Sequence, residues 1–93
     1  MATVIGLREY CREDKSADKE LKLFLSASIG YITGAGVSIQ KHEAYIPLYD
    51  MTVYMLAAHW WDNRGIAIDK NLTGEIPISV TALLIQLREL CDG

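Results

Sequence analysis

The chain is poor in the residues that staple, break or brighten a fold. It has 2 prolines, 2 cysteines, 2 histidines and a single phenylalanine in 93 residues. Two cysteines near opposite ends, Cys11 and Cys91, cannot make the dense disulfide framework that holds small secreted domains together. With no secretory leader in "MATVIGLREYC", both read as reduced intracellular thiols, with a single Cys11–Cys91 bridge as the alternative. Two histidines, His42 in a connector and His59 elsewhere, are too few for a metal cage of three or four ligands. The longest uncharged, largely apolar run, Met51 to Trp61, is far shorter than the roughly 20 residues of a membrane span. The expectation is a soluble chain, made in the cytoplasm and not held in a membrane.

A surplus of positive charge is missing too. Nine basic residues face 12 acidic ones, for a net charge of −3, and the basic ones are scattered along the chain. That gives no nucleic-acid footprint of the usual kind. What is abundant is apolar surface: 51% of the residues are hydrophobic. A chain this short makes one domain, residues 1–93, and buries only about 60–65% of the surface its unfolded form exposes. Part of the apolar surface is therefore expected to meet a partner or another copy of the chain.

Periodicity predicts helices. Thr3 caps a first one carrying Val4, Leu7 and Cys11, with Gly6 weakening it by about 1 kcal/mol. "REDKSADKE" (Arg12 to Glu20) reads as a solvated turn in which Ser16 caps a second helix. Leu21, Phe24, Leu25, Ser28, Ile29 and Ile32 repeat at i, i+3, i+4 on that helix, and Gly34 stops it in the left-handed conformation. Pro47 opens a third helix reaching about Asn63. Tyr49, Val53, Leu56, Ala57 and Trp60 make one apolar face of it, and Leu48, Met51, Met55 and Ala58 most of another. Such a helix belongs at the centre of a fold or under a partner.

Residues from Arg64 to Ile78 form a long loop, or a hairpin pairing "IAID" with "EIPI". Ser79 then caps a last helix bearing Val80, Leu83, Leu84, Leu87 and Cys91. No strand alternation builds a core sheet. The expected fold class is all-α: a small four-helix domain with a long loop or hairpin before the last helix.

Chemistry-bearing residues are few. His59 and Asp62 share a face at i, i+3, but lack further metal ligands; mutual or backbone hydrogen bonding at a helix end explains them. "GYITGAG" follows a helix, not a strand, and lacks the Lys and Ser/Thr of a phosphate loop. "NLT" (Asn71 to Thr73) is a glycosylation sequon in spelling only. Cys11 and Cys91 sit in helical stripes, where thiols are ordinarily inert. No catalytic constellation and no cofactor site stands out, so the chain reads as a non-enzyme. Trp60 and Trp61 point about 100° apart on a helix. One is expected in the monomer core, Trp60, and the other, Trp61, at an edge or a subunit contact.

Two separated segments carry a resemblance. One is "GEIPISVTALLIQLREL", with Ile76, Pro77, Val80, Ala82, Leu83, Leu84 and Arg88 at its marked positions. The other is the run His59, Trp60, Trp61, Asp62, Asn63 and Arg64. With "LREYCREDKSADKEL" before them, in that order, the chain resembles the small head–tail connector proteins of tailed bacteriophages. It departs from them in its Gly-rich "TGAGVS" connector and in a second Trp where Tyr is more usual. The resemblance implies a structural virion protein of the neck, assembled in the host cytoplasm. Its copies would form a homo-oligomeric ring beneath the portal, extend the DNA channel and join the next stopper or tail component. DNA would pass without sequence-specific contact. Candidate core or subunit-interface residues are Tyr49, Val53, Trp60, Trp61, Arg64, Val80, Leu84 and Arg88. The alternative is a small helical adaptor or regulatory module binding one protein through its Tyr, Trp and Met side chains.

Overall fold

The computed structural model describes residues 2–37, 43–63 and 76–92. Four α-helices occupy most of them: α1 (Val4–Cys11), α2 (Asp18–Gly34), α3 (Ile46–Asp62) and α4 (Ile78–Asp92). Short 3-10 turns at Lys15–Ala17 and Glu43–Tyr45 lead into α2 and α3. No strand occurs among the described residues, so the domain is all-α as its periodicity predicts. His42, Arg64, the hairpin expected between Arg64 and Ile78 apart from its last three residues, the "NLT" spelling and the side chain of Cys91 lie outside the described residues.

Local chemistry sets each helix end. The Thr3 hydroxyl accepts from the Gly6 N–H at 3.1 Å and caps α1. At the other end Arg12 takes the left-handed conformation, φ 58°. The N–H groups of Arg12 and Glu13 then donate to the carbonyls of Glu9 and Arg8. That is the Schellman pattern, formed here without a glycine.

Ser16 does not cap α2. Asp14 does the capping one step earlier, accepting from the Ser16 N–H at 2.9 Å and also from its hydroxyl. These two bonds hold the Asp14 carboxyl below the ordinary carboxylate range. The 3-10 turn they stabilise runs directly into Asp18, so α2 needs no further cap. Asp18 and Glu20 lie in its first turn, where the helix dipole favours negative charge.

Gly34 is not the left-handed residue either. It remains helical, and the positive φ falls two residues later, at Gly36, φ 96°. The Gly36 N–H donates to the Thr33 carbonyl at 3.1 Å and the Val37 N–H to the Ile32 carbonyl at 3.4 Å. Val37 and Ile32 are both buried, the apolar contact that usually accompanies this ending.

α3 is the central helix. It packs against α2 most extensively, and also against α1 and α4, while α1 packs on α2. Its buried residues are Tyr49, Thr52, Val53, Leu56, Ala57, Trp60 and Trp61. The second apolar face is covered only in part: Leu48, Met55 and Ala58 are half-buried, and Met51 remains 54% exposed. Leu7, Leu21, Phe24, Leu25, Ile32, Val80, Leu84 and Leu87 complete the core from the other helices. Removing each large side chain of this kind from water contributes about 1.5–3 kcal/mol. Two buried hydroxyls cost little, because Ser28 donates to the Phe24 carbonyl and Thr52 to the Leu48 carbonyl, each at 2.8 Å.

α4 begins at Ile78, so Ser79 lies inside its first turn and does not cap it. The Pro77 carbonyl already accepts from the Thr81 N–H at 3.1 Å, opening the helix one residue before the Ser.

Candidate functional site

The Trp pair at the end of α3 is interior on both sides. Trp60 is 3% exposed and Trp61 6%. Trp61 is thus not the exposed ring of a subunit contact. The reason is that α2 offers an aromatic partner to each. Tyr31 meets Trp60 edge to face, with centroids 5.9 Å apart and planes at 86°. Phe24 meets Trp61 in the same way, at 5.9 Å and 84°. Phe24 and Tyr31 lie seven residues apart, about 10 Å along α2. The two indoles therefore diverge along one neighbouring helix and both become buried. The Trp60 Nε1–H has no hydrogen-bond partner among the described residues.

Tyr49, Val53, Val80 and Leu84 are likewise core residues. Burial raises the Tyr49 phenol above its ordinary pKa, with Asp50 adding to the effect. Arg88 is exposed, and its side chain lies against the Gly36 turn; a Cβ at Gly36 would come within 3.5 Å of its Nε. Of the eight candidates, six build the monomer, Arg88 lies outside the core, and Arg64 is outside the described residues.

The His59–Asp62 turn ends α3. The His59 carbonyl accepts from both the backbone N–H and the side-chain Nδ2 of Asn63, at 3.1 and 2.9 Å. Asp62 lies near Cys11 of α1. Burial, then the charges of Asp62 and Glu13, raise the Cys11 thiol above its ordinary pKa of 9.0, which suppresses the reactive thiolate. Among the described residues no group of three His, Cys, Asp or Glu could hold a metal ion. No described helix is long and apolar enough to cross a membrane.

The surface has a feature that the scatter of charges along the chain conceals. An open groove of about 680 Å³ runs between α1 and α2. Val4, Ile5 and Leu23 line it, together with Arg8, Lys15, Asp18, Lys19 and Lys22. Among the described residues, four basic side chains and one acidic one therefore meet in one place. Inside it Arg8 pairs with Asp18, Nη1 to Oδ2, at 3.1 Å. Lys15, Lys19 and Lys22 stand at i, i+4, i+7, a helical spacing readable in the sequence. Arg8 reaches them only because α1 folds back on α2.

Among the described residues, exposed large apolar side chains occupy three regions. Ile5 and Leu23 flank the groove, 55% and 69% exposed. Tyr10, 50% exposed, stacks on Tyr54 at 6.0 Å, one turn from exposed Met51. Ile78 and Ile85 stand on α4, 88% and 56% exposed, away from the stripe of Val80, Leu84 and Leu87 that faces α3. Comparison with known protein families, curated proteins and solved structures found no match to this chain.

Proposed function

We propose that this chain is a structural ring component of a tailed-bacteriophage neck, a head–tail connector and not an enzyme. Copies of it assemble beneath the portal protein, extend the DNA channel and present a platform to the next stopper or tail component. The protein then resides in the virion, after assembly in the host cytoplasm.

The observation that carries this reading is the division of exposed apolar surface among three regions of the described residues, outside the core they form. A module with one partner needs one such patch. A ring subunit meets a neighbour on either side through two different patches, and still needs faces for the components above and below. The segments that resemble the connector family support the same reading. The His59-to-Asn63 part of one terminates the central helix, and the Val80-to-Arg88 part of the other lies on α4.

Charge supports passage of DNA without capture. Among the described residues outside the groove, Arg12 and Arg88 are the basic ones, against eight acidic side chains. Such a surface does not neutralise phosphates, the step that drives non-specific DNA binding.

Native mass spectrometry and negative-stain imaging of the purified chain, alone and with a portal protein encoded beside its gene, test the proposal. Rings in either sample support it. A chain that stays monomeric and never joins the portal overturns it, and a one-to-one complex with a non-virion protein favours the adaptor reading instead.

A further inference from the structure

The groove between α1 and α2 has a definite chemistry. Its lips are apolar, formed by Ile5 and Leu23, and its rim carries Lys15, Lys19 and Lys22. Within it, Asp18 Oδ2 is held by Arg8, while Asp18 Oδ1 is buried with no hydrogen-bond partner among the described residues. A phosphate backbone fits this poorly. It would gain the lysines but meet a carboxylate and two exposed aliphatic side chains. The complement is instead an apolar ridge that carries negative charge, which one flank of an α-helix can supply.

The chain carries such a ridge. On α4 the residues turned from the core include Ile78, Thr81, Ala82, Ile85 and Glu89, all exposed. Ile78 and Ile85 are seven residues apart, about 10 Å along the helix, and Glu89 follows one turn after Ile85. On the groove, Lys15 of the 3-10 turn and Lys22 of α2 are likewise seven residues apart in sequence. The ridge has no lysine, and its one exposed arginine, Arg88, leans over Gly36. α4 packs on α3, whereas the groove lies between α1 and α2, so ridge and groove are different patches of the molecule.

We infer that α4 of a second copy docks into the α1–α2 groove. Its isoleucines pack against Ile5 and Leu23, and Glu89 meets the lysine rim. Because the two patches differ, each copy offers its own α4 to the next, and the contact propagates head to tail until it closes. This interface rests on the ring reading above and assigns the surfaces that would form it.

The test uses the full chain with Cys11→Ser and Cys91→Ser as background. Leu23→Cys and Ile85→Cys are introduced separately, at positions exposed enough to leave the fold intact, which circular dichroism verifies. Mixed under mild oxidation, the two chains are expected to form a cross-linked heterodimer. A chain carrying both changes is expected to give a ladder or a closed ring. In parallel, Lys19→Glu with Lys22→Glu is expected to weaken assembly about tenfold, and adding Glu89→Lys to restore much of it.

If the parent chain assembles but neither cross-link nor charge reversal has an effect, this interface is wrong and the ring reading survives. If the parent chain is monomeric at about 1 mM, alone and with portal protein, both fail. If amide signals of Lys19 and Lys22 shift on adding a DNA oligonucleotide or a poly-glutamate peptide, while Ile85→Cys never cross-links, the groove belongs to that ligand and not to α4.

Discussion

The Tyr54 hydroxyl of α3 occupies the space in which a side chain at Gly6 of α1 would begin. A Cβ built on Gly6 would lie within 2.8 Å of Tyr54 Cζ and closer still to Oη. The same oxygen accepts from the Thr3 N–H at 3.1 Å, beside the Thr3 cap on Gly6. Gly6 therefore makes room for the Tyr54 ring end between the two helices, and its cost in helix propensity is offset by that contact.

Gly6→Ala should destabilise the domain by about 1–2 kcal/mol, because overpacking costs more than the improved propensity returns. In a Tyr54→Phe background the penalty should shrink, since the offending oxygen is gone. Urea denaturation of the four proteins of this cycle measures the coupling. A Gly6→Ala chain more stable than the parent would refute the close-approach account.

Trp60→Ala and Trp61→Ala should each cost about 3–5 kcal/mol of monomer stability, as both rings are interior. Trp60→Phe should cost less than Trp60→Ala, because it keeps an aromatic edge for Tyr31 and deletes an indole N–H that has no partner among the described residues. Chemical denaturation at a concentration where the chain is monomeric separates this from any effect on assembly.

The two Schellman endings predict opposite responses. Gly36→Ala forces a Cβ into a left-handed position, φ 96°, and should destabilise by roughly 1 kcal/mol. Arg12→Gly relieves the same kind of strain at φ 58° and should stabilise by up to about 1 kcal/mol. Thermal melts of both variants provide the check, and Gly30→Ala, in open space within α2, serves as a propensity control that should raise stability.

Stability should fall as pH rises above about 9. The Cys11 thiol has its folded pKa raised from 9.0 by burial first, then by Asp62 and Glu13. Above the unfolded value the unfolded chain has released its proton while the folded chain still holds it, so the unfolded state binds fewer protons and gains with pH. Tyr49, raised from 10.0, acts in the same direction at higher pH. Denaturation midpoints measured from pH 7 to 10.5 should show the decline, and Cys11→Ser should flatten its first part. Asp62→Asn should also make Cys11 easier to alkylate at pH 8.

Several features were legible in the residue pattern because they depend on neighbours within one or two helical turns. The Thr3 cap, the core faces of α2 and α3, the Pro47 entry and the stripe of Val80, Leu84 and Leu87 are of this kind. The caps assigned to Ser16 and Ser79 failed for a local reason: Asp14 and Pro77 open their helical turns earlier. Gly34 failed as a terminator because Gly36, two residues on, satisfies the same carbonyls with a buried Val37 behind it.

The Trp pair marks the limit of pattern reading. A difference of 100° around α3 correctly describes where the side chains leave the helix. It does not say that α2 will supply Tyr31 to one ring and Phe24 to the other. Periodicity along one helix cannot count how many neighbours that helix will have.

Composition and period alone determined an all-α domain, its helical segments, most of its core and an excess of apolar surface, since those follow from each residue's own hydropathy and spacing. Tertiary structure decided which apolar residues stay outside, that Gly6 must admit Tyr54, and that Arg8 joins Lys15, Lys19 and Lys22 around one groove. These depend on which helix faces lie side by side, and that is set by packing between segments distant in the chain.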